Sequence, residues 1–190
     1  MSTTPSITER PLRADARRNR ELIVAAARRL VAEQGVEAQI QDVAREAGVG
    51  VGTVYRHFPN KEALMGELIA QCARENAECG REALERDPAE AFDWMVRTSC
   101  DRMAGDAARR RVWNLATPEA FAYADEAKRE MHDACSVVIA RARKAGALRR
   151  DFKTDDMGGL MCGLAAAIDS GPPGGWKRLM EFALDGLRPR

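Results

Sequence analysis

The stretch QIQDVAREAGVGVGTVYRHFPNKEAL, residues 39–64, decides the fold of this 190-residue chain. Ile40, Val43, Ala44 and Ala47 recur at the spacing of one face of a short helix. Gly48 ends that helix where a tight corner is needed, because glycine takes a positive φ without steric cost. Val51, Val54 and Phe58 then recur at helical spacing across residues 51–58. Ala44 is small where the two helices must come close. Pro59 closes the second helix, and Asn60-Lys61-Glu62 opens a third. Taken together, these spacings describe a helix-turn-helix with another helix directly behind it.

The major groove of B-DNA admits one α-helix, and residues 51–58 have the right length to lie in it. Gly52 allows close approach of the backbone, which a side chain would prevent. Val51 and Thr53 face outward near the helix start, where their methyl groups can meet thymine. Lys61 opens the next helix, where its charge and the free backbone amides together suit a phosphate. Gln39 and Gln41 offer further contacts from the first helix of the motif.

This region resembles the DNA-binding domain of TetR-family transcriptional regulators. The resemblance rests on Val43-Ala44, Ala47-Gly48-Val49, Gly52-Thr53-Val54-Tyr55, His57-Phe58, Asn60-Lys61-Glu62 and Leu64, and extends back over residues 17–35. It implies that Tyr55 and His57 contact phosphates and that Arg56 occupies a variable position able to reach bases. It also implies double-stranded operator DNA as a partner, a small-molecule effector and a homodimer. The chain departs from the family pattern at two caps. Ala38 and Gln39 stand where Ser or Thr usually starts the first helix of the motif, and Gly50 stands where Ser often precedes the reading helix.

A hydrophobic share of 45% is ample for a folded core and argues against disorder. The net charge of +1 says little, but its distribution says more. Residues 1–30 hold seven arginines (Arg10, Arg13, Arg17, Arg18, Arg20, Arg28 and Arg29) against Glu9, Asp15 and Glu21. That excess suits a surface facing a polyanion, or simply a solvated helix face. The five cysteines are scattered singly, without a CxxC, so neither a disulfide framework nor a metal site is indicated. Most read as small buried hydrophobes; a redox-sensing thiol is the alternative. No apolar run spans a membrane, and a reduced cytoplasmic compartment fits.

Residues 1–12 read as a mobile arm, followed by a helix over 14–34 with its apolar stripe at Leu22, Ile23, Ala26, Ala27, Leu30 and Val31. A long connecting helix is expected over 61–86. Thr117-Pro118-Glu119 has the cap, the proline and the acid of a helix start, and the helix it opens is expected to run to residue 145. Residues 154–156 start another. No convincing strand alternation appears, so the fold is expected to be all-α. A three-helix DNA-binding domain would occupy 1–60, and a helical effector-binding and dimerisation domain 61–190.

The segment GGLMCGLAAAI, residues 158–168, is apolar nearly all round and too short to cross a membrane. It must be covered on several sides. The resemblance implies that the last two helices pair with their copies in a four-helix bundle, so Met161, Leu164, Ile168, Trp176, Leu179, Met180, Ala183 and Leu187 are expected at a dimer interface; an intrachain core is the competing reading. Trp94, Met95, Met103, Trp113, Phe121, Tyr123 and Met131 supply bulky, adaptable surface for a ligand pocket or for a core. No catalytic constellation, phosphate loop, cofactor or metal signature stands out. The expectation is a DNA-binding regulator, a repressor released by an effector. The alternatives are a constitutive DNA-binding regulator or a helical enzyme.

Overall fold

The computed structural model describes residues 9–189, with side chains from residue 14 onward except Val36. Residues 1–8 of the expected arm, and the side chains of Arg10 and Arg13, lie outside the described residues. The described chain is all helix and turn. The helices are α1 (Glu9–Gln34), α2 (Ile40–Ala47), α3 (Val51–His57), α4 (Lys61–Leu84), α5 (Ala91–Ala104), α6 (Ala107–Leu115), α7 (Pro118–Ala122), α8 (Asp125–Lys144), α9 (Asp156–Ser170) and α10 (Gly175–Gly186).

Helix α1 starts five residues before the expected position 14. Pro11 lies in its first turn, where amide hydrogens have no intrahelical partner, so the missing N–H costs nothing. Gly48 ends α2 at φ 67°, in the left-handed region expected for that corner. Asn60 caps α4, its side-chain oxygen accepting from the Ala63 amide at 2.7 Å. The helix opened by Thr117 and Pro118 does not run to residue 145. It stops after Ala122, and α8 begins afresh at Asp125-Glu126, two acids suited to a helix N-terminus.

That break has a packing cause. Helices α4 and α8 lie side by side and run in the same direction. Tyr123 meets α4 at Gly66, Met131 meets Asn76, Ala134 meets Gly80, and Arg141 donates to the Leu84 carbonyl. Helix α7 crosses the start of α4, so the chain must turn at residues 123–124 to enter α8.

Two apolar cores result. One joins α1, α2 and α3 to α4 as far as Ala73, and includes Val112, Ala120, Ala124 and Ala127. The other begins at Cys79 and runs through α5, α8, α9 and α10. Helix α4 serves both. Burial pushes the thiols of Cys72 and Cys79 up, that of Cys135 to about 11 and that of Cys100 to about 12, so these four remain protonated. Cys162 is exposed.

A Cβ added at Gly66 would lie 2.4 Å from Tyr123 Cβ and 2.8 Å from the Ala120 carbonyl oxygen. Gly66→Ala should therefore destabilise the fold by about 1–3 kcal/mol, the usual cost of overpacking. Denaturant melts check this. Tyr123→Ala should not relieve the cost, because one of the two obstructing atoms is backbone and the other is a Cβ that alanine keeps.

Candidate DNA-reading face and ligand cavity

Helix α3 divides cleanly. Val54 is buried, as is Phe58 just beyond the helix, and both join the core shared with α1, α2 and α4. Val51, Gly52, Tyr55 and Arg56 are exposed, with Thr53 and His57 half-buried between. Arg56 makes no hydrogen bond or ion pair among the described residues. Neither Gln39 nor Gly50 supplies a side-chain cap to its helix. Gln39 instead donates to the Glu37 carbonyl at 3.0 Å. Gln41 is exposed and Lys61 half-buried, at the starts of α2 and α4.

Gly52 is informative for what does not surround it. A Cβ there would meet nothing within 4 Å, so the chain's own packing does not require glycine. Glycine inside a helix costs about 0.5–1 kcal/mol relative to alanine. The fold carries that cost without a structural return.

The basic excess of residues 1–30 is partly committed to the chain itself. Arg20 pairs with Glu67 at 2.6 Å and Arg29 with Glu46 at 2.8 Å. Arg28 pairs with Asp106 and lies 3.7 Å from Glu75. Arg17 and Arg18 are exposed; Arg17 makes a solvated contact to Glu21. Arg20, Arg28 and Arg29 therefore help hold α1 against its neighbours, while Arg17 and Arg18 stay on its solvent face.

A cavity of about 170 Å³ is walled by α4, α5, α6, α8 and α9. Met95, Met103, Trp113 and Met131 line it, together with Met157, Met161, Cys135 and Ala165. Its polar lining is Asn76, Ser99, Arg109, Arg110, Asn114, His132 and Thr154. The remaining expected pocket residues stand elsewhere. Trp94 packs under the Arg86 guanidinium at 3.9 Å, Phe121 backs Trp113 from outside at 5.9 Å, and Tyr123 is exposed beside α4.

Helix α6 forms both a cavity wall and a bearing surface for α1. Asp106 caps it, accepting from the Arg109 amide at 3.1 Å while pairing with Arg28. Arg109, only 7% exposed, pairs with Glu75 and donates to Asn76 Oδ1 at 3.1 Å. Burial lowers the Arg109 pKa, with the nearby Arg28 charge adding to the effect. Arg111 donates to the Ala32 carbonyl of α1. Signals for these roles were weak in sequence, because Arg109-Arg110-Arg111 reads as a solvated charge run.

The expected interface residues differ in placement. Leu164, Trp176 and Met180 are buried in the chain's own core with Leu184, so they are not surface residues. Met161 faces the cavity. Ile168, Ala183 and Leu187 are half-buried. Leu179 is 45% exposed, and Phe182, missed in sequence, is 59% exposed. Beside them, Gly159, Gly163 and Ala166 are exposed on α9, and a Cβ at either glycine would meet nothing within 4 Å.

Residues 23–68 match the family described as bacterial regulatory proteins, tetR family, and residues 87–189 match the C-terminal domain of SbtR-like transcriptional regulators. The chain belongs to the TetR family. It is thus a DNA-binding transcriptional regulator, a family of regulators rather than enzymes. A TetR regulator from Streptomyces coelicolor is 32% identical, with 90% of this chain and 98% of that one covered and a TM-score of 0.57. A TetR protein from Mycobacterium vanbaalenii is 29% identical over 94% of this chain and 99% of that one, with a TM-score of 0.62. An HTH-type regulator from Staphylococcus aureus is 44% identical over 59 residues, 30% of this chain and 32% of its own length. FadR from Bacillus subtilis, solved with stearoyl-CoA, is 19% identical at a TM-score of 0.71, covers 87% of this chain and 95% of its own, and shows the fold alone. Among the described residues of this TetR-family chain, no helix is long and apolar enough to cross a membrane, and no group of three metal-ligating side chains converges.

Burial alone would raise the Asp106 pKa, but hydrogen bonds from Arg28, Arg109 and Ala108 outweigh it and hold the carboxyl below its ordinary 3.8. A depressed carboxylate stabilises the fold above the unfolded pKa and loses that contribution as pH falls through the folded one. Asp106→Asn keeps a capping oxygen but loses the charge. Its stability deficit should be present near neutral pH and should shrink as the pH is lowered below about 4. Asp106→Ala should cost a further amount, about 0.5–2 kcal/mol for the cap. Denaturant melts across that pH range measure both.

Proposed function

We propose that this chain is a homodimeric repressor that leaves a near-palindromic operator when a small molecule fills the cavity. Its head at residues 1–60 reads DNA, and residues 61–190 bind effector and partner. Acting on chromosomal DNA places it in the cytoplasm. The observation that carries the reading is the double role of α6, whose one face lines the cavity while Arg111 and the Asp106–Arg28 pair hold α1. A molecule that shifts α6 shifts the head with it. FadR of Bacillus subtilis, which shares the fold, was solved with stearoyl-CoA. A selection of bound sequences from random duplex DNA tests the reading, since failure to recover an inverted repeat would defeat it.

The exposed face of α3 supports the assignment of base and phosphate contacts. Val51, Gly52, Thr53 and Arg56 are placed to enter the groove. Tyr55, His57, Lys61, Gln39 and Gln41 are placed to meet phosphates or groove edges around it. The open space at Gly52 favours close approach by DNA as the reason for glycine there. Gly52→Ala should stabilise the fold by about 0.5–1 kcal/mol and yet weaken operator binding. A variant that gained stability and bound as well as the parent would remove Gly52 from the contact face.

The dimer proposal rests on the outward faces of α9 and α10. Bare glycines on α9 let a partner helix approach closely, and Leu179 and Phe182 offer exposed apolar surface, with only the Arg178 guanidinium over the Phe182 ring. Phe182→Glu should leave the fold intact, because its side chain is exposed, but give a monomer that binds the operator poorly. Sedimentation and melting of the same sample separate these effects; an intact dimer overturns the assignment.

A further inference from the structure

Among the polar groups of the cavity wall, Asn76 is held in an unusual way. Its side-chain oxygen accepts from Arg109 Nη1 at 3.1 Å, which fixes the amide orientation. Its Nδ2 then points at the Met131 sulfur, 3.7 Å away. A thioether is a weak acceptor, so a strong donor is held in the cavity against a poor partner. Around it, Met95, Met103, Met131 and Trp113 make an apolar and adaptable body.

The wall's cations are matched from behind. Arg109 pairs with Glu75, and Arg110 donates to Asp169 at 2.7 Å. Neither carboxylate lines the cavity. A ligand anion would gain no unpaired charge there and would have to displace Glu75 or Asp169. A ligand cation would meet guanidinium groups directly. Either charge would also lose its hydration in a mostly apolar space.

We propose that the cavity takes an uncharged, largely apolar molecule carrying one acceptor oxygen, a ketone, ether or alcohol, which receives a hydrogen bond from Asn76 Nδ2 in place of the Met131 sulfur. This rests on the reading of the cavity as the effector site. The mobile thioether of Met131 gives way to the ligand oxygen, and Arg109 keeps the Asn76 amide aimed during the exchange. The charge-neutral wall excludes carboxylates and amines of the same size.

Calorimetry on the full-length protein without DNA tests this with four probes of one skeleton: 2-acetylnaphthalene, its hydrocarbon isostere 2-isopropylnaphthalene, 2-naphthoate and 2-naphthylmethylammonium. The ketone should bind about tenfold more tightly than each of the others. Asn76→Leu should abolish its advantage over the hydrocarbon. Asn76→Asp, which retains an acceptor for Arg109, should do the same and guards against misfolding of the first variant. Glu75→Gln leaves the Arg109 charge unmatched and should raise naphthoate affinity about tenfold. Gly158→Leu, at the exposed rim where a Cβ meets nothing within 4 Å, should weaken all binding and so locate it. The proposal is overturned if naphthoate binds the parent best, if ketone and hydrocarbon bind alike, or if none of the four binds. Ketone binding that leaves operator affinity unchanged supports the ligand class and defeats the effector reading instead.

Discussion

The rest of the structure depends on the unbroken course of α4. Its 24 residues span about 36 Å as one helix. The first half is built into the core of the head and the second half into the core of the C-terminal region. Two glycines fix it against its neighbours without slack. At Gly66 the chain of α7 lies so close that no Cβ fits, and at Gly80 the Ala134 methyl of α8 would be 3.0 Å from one. Packed interfaces of this kind move as bodies rather than deform continuously. A displacement imposed beyond Gly80 therefore reaches the head as a rotation or shift of the whole helix.

Helix α6 adds a second, polar attachment. Its cap Asp106 pairs with Arg28 on α1 and its Arg109 with Glu75 on α4, and Arg28 and Glu75 are themselves 3.7 Å apart. Four charges from three helices thus balance one another within a small, half-buried space. Removing one member leaves its partner partly desolvated and unmatched, so the group is kept or lost together. This explains how three consecutive arginines can occur on one short helix. Arg109 faces the cavity wall, Arg110 reaches Asp169 of α9, and Arg111 reaches the backbone of α1. Each points to a different neighbour.

The head was legible because its constraints are local. Gly48 needed a left-handed corner, Ala44 a close approach, and Val54 and Phe58 one buried face, and each demand shows in residue type at fixed spacing. The C-terminal half hides its constraints in long-range packing. The only local sign near residue 123 is the acid pair Asp125-Glu126, since the cause of the break lies at Gly66, more than fifty residues earlier. The apolar stripe of α10 reads as one face but divides into two. Trp176, Met180 and Leu184 turn inward, while Leu179 and Phe182 turn outward. Of the bulky residues expected at a pocket, Met95, Met103, Trp113 and Met131 line the cavity, whereas Phe121 stands one layer behind it. Ser99 shares the i, i+4 face of Met95 and Met103, but a polar lining residue such as Asn76 carries no sequence signal, because asparagine on a helix reads as solvated surface.

For the proposed release from DNA, the energetics constrain what a ligand must do. Shifting a two-state equilibrium from 1:99 to 99:1 needs about 5.5 kcal/mol of differential affinity. Filling a preformed cavity equally well in both states would supply none of it, however tight the binding. The discriminating contacts must therefore come from wall elements whose position differs between the states. Met157 and Ala165 belong to α9, which packs on α10 away from the head. Asn76, Arg109 and Trp113 belong to α4 and α6, the two helices fastened to α1. A ligand that touches both groups measures the distance between them. Its size and acceptor position then decide the sign of the response, because a molecule fitting the DNA-bound spacing would strengthen the operator complex and one too large for it would break it.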